Sequence, residues 1–421
     1  MGHEVAAALF VGGIEKVERE GEVDLGDIPV IRADGRHGEA LGQAISDHGA
    51  EAVLDLSDEP VLGYRRRMEM AAVALAAGLP YLGADFTLEP AVEGPPLPRP
   101  TLGVIGTGKR TGKTAISGEA ARIADRVGLR PVVVAMGRGG PPAPQVARAG
   151  SVSLDDLLRM AGEGRHAASD YLEDAVTSGV TTVGARRCAG GLAGRPYVSN
   201  VREAAARALE EDPGLVILEG SGSAMPPVPW DAGILVCPAT APEEHVAGYL
   251  GPYRLLLSDL VVLTMGAGPD VGPQHLATLR SHVSRLRPNA RIVLTDLRPV
   301  PLKDVGGRKV YLATTAPRHA GDAMVSHLEE GFGCEVVGIT HHLADRARLR
   351  EDLAAAPRFD VLLTELKAAA IDVAAEHARS VGAEVVFVDN RPVTLEGDGD
   401  LPVLLEETAR LATARAAERT T

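Results

Sequence analysis

Lysine is scarce in this chain. Only six occur in 421 residues, Lys16, Lys109, Lys113, Lys303, Lys309 and Lys367, and arginine supplies the rest of the 43 basic side chains. Against 57 acids this leaves a formal net charge of −14. There is no basic tail, and aromatics make up only 3% of the chain. No arginine–lysine stripe with interleaved aromatics appears, which argues against a nucleic-acid partner. The three cysteines, Cys188, Cys237 and Cys334, are far apart and odd in number. Neither a zinc spacing nor a disulfide framework follows. No apolar run approaches a membrane span, and the first residues lack a basic region ahead of their apolar run. A reducing, cytoplasmic setting without a membrane partner is expected.

What is present stands out against that background. An acidic chain that binds an anion must concentrate its positive charge locally. Two of the six lysines fall in Gly103-Val-Ile-Gly106-Thr107-Gly108-Lys109-Arg110-Thr111-Gly112-Lys113-Thr114. An apolar strand from Leu102 to Ile105, a glycine-punctuated turn and a helix over Ala115–Val127 are expected there. Backbone N–H groups and the helix dipole would both point at an anion in the turn. Gly106 through Thr114 would cradle a nucleotide, with Lys113 and Lys109 on its phosphates and the Thr114 hydroxyl on magnesium. One position departs from the common pattern: Thr107 stands where the first glycine belongs.

Residues 1–88 alternate short apolar runs and helical patterns, which predicts a small α/β domain of the Rossmann-like, doubly wound kind. Glu89 to Pro100 holds five prolines and a glycine, so a linker is expected. A phosphate-loop domain should occupy 101–300, built on mostly parallel sheet. A C-terminal α/β unit over 301–421 either continues it or stands apart, and the tail from Glu406 reads as a closing surface helix.

Further clusters pair basic residues with glycine or with strand ends. Arg138 lies in the turn Gly137-Arg-Gly-Gly-Pro141, after a strand from Pro131 to Met136. Residues 151–178 read as helical, placing His166, Asp170 and Asp174 at four-residue spacing beside Ser169. Arg186 and Arg187 sit among the glycines of 184–194, a loop suited to bidentate anion contacts. Glu219 ends the strand Leu215–Leu218 and is placed to hold magnesium with Thr114. Three more strand ends carry Thr314-Thr-Ala-Pro-Arg318, Thr364-Glu-Leu-Lys367 and Asp389-Asn390-Arg391. Cationic and amide groups in such places suit an anionic ligand. In the first 88 residues, Asp55–Pro60 reads as a capped acidic turn and Arg65–Arg67 as a solvated helical face. No Asn-Lys-x-Asp run follows any strand, which removes the usual guanine reader and favours adenine.

The loop Gly106–Thr114 and the run Glu219-Gly-Ser-Gly222 resemble dethiobiotin synthetase and its relatives, which activate an acid with ATP and magnesium. That likeness makes Thr107 a mark of the branch. Over nearly the whole chain, the residues resemble the cyclic 2,3-diphosphoglycerate synthetase family. The segments that carry this are Gly106–Thr114, Met136–Pro141, His166–Asp174, Val183–Cys188, Thr364–Ala370 and Val388–Pro392. The resemblance implies closure of the two phosphates of 2,3-diphosphoglycerate into an internal anhydride, with ATP giving ADP and phosphate. It also implies a cytoplasmic homodimer or other homo-oligomer. Lys109, Lys113, Arg186 and Arg187 would then be catalytic. Arg138, His166, Ser169, Asp170, Lys367, Asn390 and Arg391 would join the two arginines in holding substrate. Two alternatives stay open: another ATP-dependent ligase or kinase of this branch, and a regulatory phosphate-loop NTPase.

Overall fold

A computed structural model describes residues 4–12, 25–33 and 35–420; Lys16 lies outside them. Thirteen strands form one sheet. We label β1 (Thr101–Gly106), α1 (Lys113–Arg126), β2 (Pro131–Gly137), α2 (Asp170–Ser178), β3 (Thr182–Cys188), β4 (Leu215–Glu219), β5 (Ala232–Pro238) and β6 (Leu260–Thr264). The remainder are β7 (Arg291–Pro301), β8 (Lys309–Ala313), β9 (Glu335–Thr340), β10 (Val361–Glu365), β11 (Glu384–Gly397) and α3 (Leu401–Thr420). Across the sheet the order is β3-β2-β4-β1-β5-β6-β7-β11-β10-β8-β9, with Val198–Ser199 extending the β3 edge and Gln145–Ala147 also pairing with β3.

The central strands are unbroken apolar runs, as strands covered on both faces must be. All five residues of β4 and of β6 are buried. One apolar layer covers a whole face of the sheet, running from Leu102 and Ile116 through Val293 to Leu362, Val385 and Leu405.

Neighbours are parallel from β3 to β7 and again from β11 to β9. Between β7 and β11 the pairing is antiparallel. The two halves therefore run in opposite senses. β6 stops pairing with β7 at Leu294, but β7 continues to Pro301, which pairs with Val388, itself level with Glu365 of β10. The seven residues from Thr295 to Pro301 span about 20 Å. The carboxyl ends of the two half-sheets thus face each other across one crevice. In open α/β sheets that is the end where ligands bind.

Several expectations change. β7 is eleven residues long, more than the apolar run Ile292–Leu294 alone would support, because antiparallel pairing with β11 carries it past the parallel sheet. Asp389, Asn390 and Arg391 lie within β11, not at a strand end. The tail is no surface helix: it begins at Leu401, and Leu401, Leu404, Leu405, Ala409 and Ala412 are buried. Residues 151–178 form two helices, Leu154–Gly162 and α2. Gly164 between them adopts φ +72°, a left-handed turn that ends the first.

The N-terminal strands are two or three residues long and form two small sheets. This region packs on the phosphate-loop half through Met70, Leu75 and Tyr253. Arg285 grips Glu69 with two bonds of 2.9 Å. The proline-rich stretch is pinned down: Ala91 donates its N–H to the Tyr253 hydroxyl, and Arg195 pairs with Glu89 and Glu93.

Candidate active site

The floor of the crevice is the turn between β1 and α1. Gly112 takes φ +86°, which a side chain would strain, and so starts α1 sharply. A Cβ on Gly106 would stand 2.9 Å from both the Lys113 Cδ and the Thr111 Oγ1, so glycine lets the lysine stem lie along the loop. Lys113 Nζ donates to the Gly108 carbonyl at 2.8 Å and to Thr111 Oγ1 at 3.3 Å. Burial pushes its amine down to about 8, against the pull of Glu219 and Asp170. Thr264 braces the turn by donating to the Thr111 carbonyl. Thr107 spends its backbone N–H on Val236, which leaves Gly108–Lys113 to face an anion. Lys109 and Arg110 are exposed at the tip.

Glu219 ends β4 directly beside β1. Its Oε1 accepts from the Thr114 hydroxyl at 3.0 Å, so the two residues expected to hold a metal already face each other. Glu219 Oε2 is buried with no hydrogen-bond partner among the described residues. Those residues hold no group of three or more His, Cys, Asp or Glu able to bind a metal alone. A hydroxyl, an orphaned carboxylate oxygen and incoming phosphates are the donor set that magnesium uses.

Arg186 and Arg187 lie on strand β3, not in a mobile loop, so they point to opposite faces. Arg187 is buried and faces the turn. It donates to the carbonyls of Ala189 and Ser221, each at 2.8 Å. Arg254 holds the Ser223 carbonyl at 2.7 Å, so two guanidinium groups clamp the segment after Glu219. A Cβ on Gly222 would lie 3.3 Å from an Arg187 Nη and 3.4 Å from Lys109 Cγ, which puts both cations at one mouth. Arg186 is exposed and bonds the Gly140 carbonyl with its Nε. Burial, then the charge of exposed Arg138, lowers the Arg187 pKa.

The wall is α2. Ser169 is buried at its N-cap and makes no capping bond. Asp170 begins the helix, and Oδ2 would meet a Cβ on Gly137 at 2.8 Å. Burial raises its pKa, while Lys113, His166, Lys367 and Arg187 oppose that rise. Asp170 keeps one side towards solvent while its carboxyl lies within the crevice, where burial and all four charges act on it. His166 precedes the helix and does not share its face; its ring would lie 3.0 Å from a Cβ on Gly139.

The roof comes from the second half-sheet. Lys367 follows β10 and reaches Glu365 Oε1 at 3.5 Å and Glu173 Oε1 of α2 at 4.0 Å. Glu365 also accepts from the Thr315 N–H and hydroxyl at 2.8 Å each, and from Asn390 Nδ2 at 2.7 Å. Burial would raise the Glu365 pKa, but the Lys367 charge and these bonds hold it below the usual value. Burial pushes Glu173 up to about 8 despite Lys367. Arg391 is exposed and bonds Asp389, whose Oδ2 lies 2.9 Å from Arg122 of α1. Thr315 and Glu365 belong to the strand-end clusters, but no local pattern marks Glu173 as a site residue. Only tertiary folding brings α2 beneath β10, and helical spacing drew attention to Asp170 and Asp174 instead.

Asp55 accepts from the Ser57 N–H and hydroxyl and from Tyr81, and pairs with Arg67, so the acidic turn near the N-terminus is structural. Arg65 bonds Glu244.

Three family profiles match the chain in series. They describe the N-terminal domain of cyclic 2,3-diphosphoglycerate synthetase over residues 1–89, its P-loop domain over 101–296 and its C-terminal domain over 301–391. A curated relative of that name from Rubrobacter xylanophilus is 48% identical, covering 95% of this chain and 90% of its own. One from Methanothermobacter thermautotrophicus is 40% identical over 94% of this chain and 88% of its own. One from Thermococcus kodakarensis is 40% identical over 98% and 95%. Among solved structures, the hydrogenase maturation factor HypB of Archaeoglobus fulgidus overlaps loosely. It is 13% identical with a TM-score of 0.30, covering 55% of this chain and 89% of that one.

Proposed function

The chain belongs to the cyclic 2,3-diphosphoglycerate synthetase family, and on that premise we propose that it joins the two phosphates of 2,3-diphosphoglycerate into an internal anhydride, using ATP. The observation that carries this reading is the crevice itself. A nucleotide-type turn on one half-sheet faces Lys367 on the other, with Arg187 and Asp170 between them.

A phosphate becomes an electrophile only when one of its oxygens is made a leaving group. The γ-phosphoryl of ATP moves to one substrate phosphate, breaking the β–γ bridge and freeing ADP. The second substrate phosphate then attacks the first, forming the new P–O–P bond and expelling inorganic phosphate. Both steps are in-line transfers, so positioning and charge neutralisation do the work. Lys113 lies in the turn to meet the outer phosphates of ATP, and Lys109 and Arg187 stand at the mouth where charge passes between nucleotide and substrate. Lys367 holds the substrate from the opposite wall, with Asn390 and the exposed Arg138 and Arg391 around it. Arg186 faces away and has no part in this scheme. The attacking phosphate is already ionised, so no strong base is required, and His166 and Asp170 orient groups. Thr114 and Glu219 would hold magnesium, which neutralises phosphate charge when bound.

Phosphorus NMR of the full chain with ATP, magnesium and 2,3-diphosphoglycerate tests the reading. New anhydride resonances should grow as ADP and phosphate appear. ATP turnover without them would sink it. Among the described residues no helix is long and apolar enough to cross a membrane, and the three cysteines are unpaired. We propose a cytoplasmic homodimer or other homo-oligomer, as the family resemblance implies, and light scattering would check its size.

A further inference from the structure

Behind the phosphate turn lies a carboxylate that the scheme above leaves unused. Asp174 is 1% exposed, and among the described residues no donor group reaches either of its side-chain oxygens; its carboxyl instead meets that of Glu219, a contact that needs a proton shared between two acids. Glu219, 3% exposed, likewise receives no donor on Oε2. Ser117 lies one turn beyond Thr114 on the same side of α1, fully buried, and its hydroxyl is also unpartnered. Buried acids are normally paired with a cation or a donor. The charges that bear most on Asp174 are Glu219, Glu173 and Asp170, all acidic. Protein side chains here supply repulsion where neutralisation is needed.

A hard divalent cation answers that need. Magnesium is held by one or two carboxylates together with phosphate and water oxygens. We propose that Asp174 is the second carboxylate of the metal site, completing with Thr114 and Glu219 the oxygen set that meets a nucleotide-bound divalent cation. The proposal rests on the reading of Thr114 and Glu219 as metal-binding. It ties the metal to α2, whose Glu173 reaches Lys367. Loading the metal would therefore fix the wall that the substrate half touches.

The test is Mn2+ binding to the full chain with a non-hydrolysable ATP analogue, followed by electron paramagnetic resonance, with melting temperature as a second readout. Asp174→Asn should weaken Mn2+ binding at least tenfold, and Glu219→Gln at least as much. Without metal, Asp174→Asn should melt no lower than the parent, because it removes one of two crowded acids. The rise in melting temperature on adding Mn2+ should shrink. Unchanged Mn2+ affinity in Asp174→Asn alongside loss in Glu219→Gln overturns this proposal and leaves the metal reading standing. Unchanged affinity in both overturns both. Asp174→Ser, smaller and also neutral, serves if the asparagine variant does not fold.

Discussion

The two half-sheets that face each other bind charge by different means. The phosphate-loop half uses backbone: glycines, a helix start, and one lysine whose stem lies along the turn. The C-terminal half uses side chains held by other side chains, with Glu365 taking bonds from Thr315 and Asn390 while pairing with Lys367. A backbone grip suits any nucleotide phosphate. A side-chain grip can be shaped to one small acid. On the reading proposed above, the contrast places nucleotide at one wall and substrate at the other.

Four experiments would break or sharpen that division. Lys113→Ala should cost about a thousandfold or more in turnover, by analogy with single cations on a transferring phosphoryl group. Steady-state rates check this, and near-normal turnover would remove the turn from the chemistry. Lys367→Ala should cost about a hundredfold in kcat/KM for the acid substrate and leave ATP affinity within about twofold. A matching loss of ATP binding would show that the walls do not divide the labour.

The third experiment is a pH series. Lys113 loses its charge near pH 8 in the folded chain, because burial disfavours the ammonium. Above that pH, kcat/KM for ATP should fall about tenfold per unit. The unfolded chain keeps this proton up to the ordinary lysine pKa. Between about 8 and that value, deprotonation in the folded state favours folding increasingly as pH rises. Activity and this contribution to stability therefore move in opposite directions, and a melting curve at each pH separates lost charge from unfolding. The smallest effect concerns the adjacent arginines. Arg187→Ala should cost about ten- to a hundredfold, since two charged hydrogen bonds to the clamp disappear. Arg186→Ala should stay within about twofold, as exposed substitutions do. Equal losses would contradict their placement on opposite faces.

Much of the first wall is readable in the residues because its chemistry is local. Strand, glycines, Lys113 and Thr114 fall within fourteen positions, and Glu219 follows an apolar run that could only be a buried strand. The second wall is not readable in that way. Lys367 stands out as a rare lysine at a strand end, but its partner Glu173 lies almost two hundred residues earlier. The reversal between β7 and β11 depends on long-range pairing that no local pattern encodes. The paired arginines mislead for a related reason. Glycines on either side suggest a loop, yet Gly184 is needed because the Tyr171 ring would stand 2.6 Å from a Cβ there. Close packing, not flexibility, explains that glycine.

The last helix sets the order in which the molecule can be made. α3 lies against α1, β1 and β5, and its Arg415 and Arg419 reach back to Asp259, Asp231 and Leu97. The nucleotide-binding half therefore begins near residue 100 but gains its final face only when residues 401–420 leave the ribosome. Until then the apolar face of β1 and β5 that carries Leu102, Val104, Ile234 and Val236 stays bare, a surface prone to association. A chain stopped at residue 400 should accordingly emerge aggregation-prone and unable to retain nucleotide, although every residue of the phosphate turn is present.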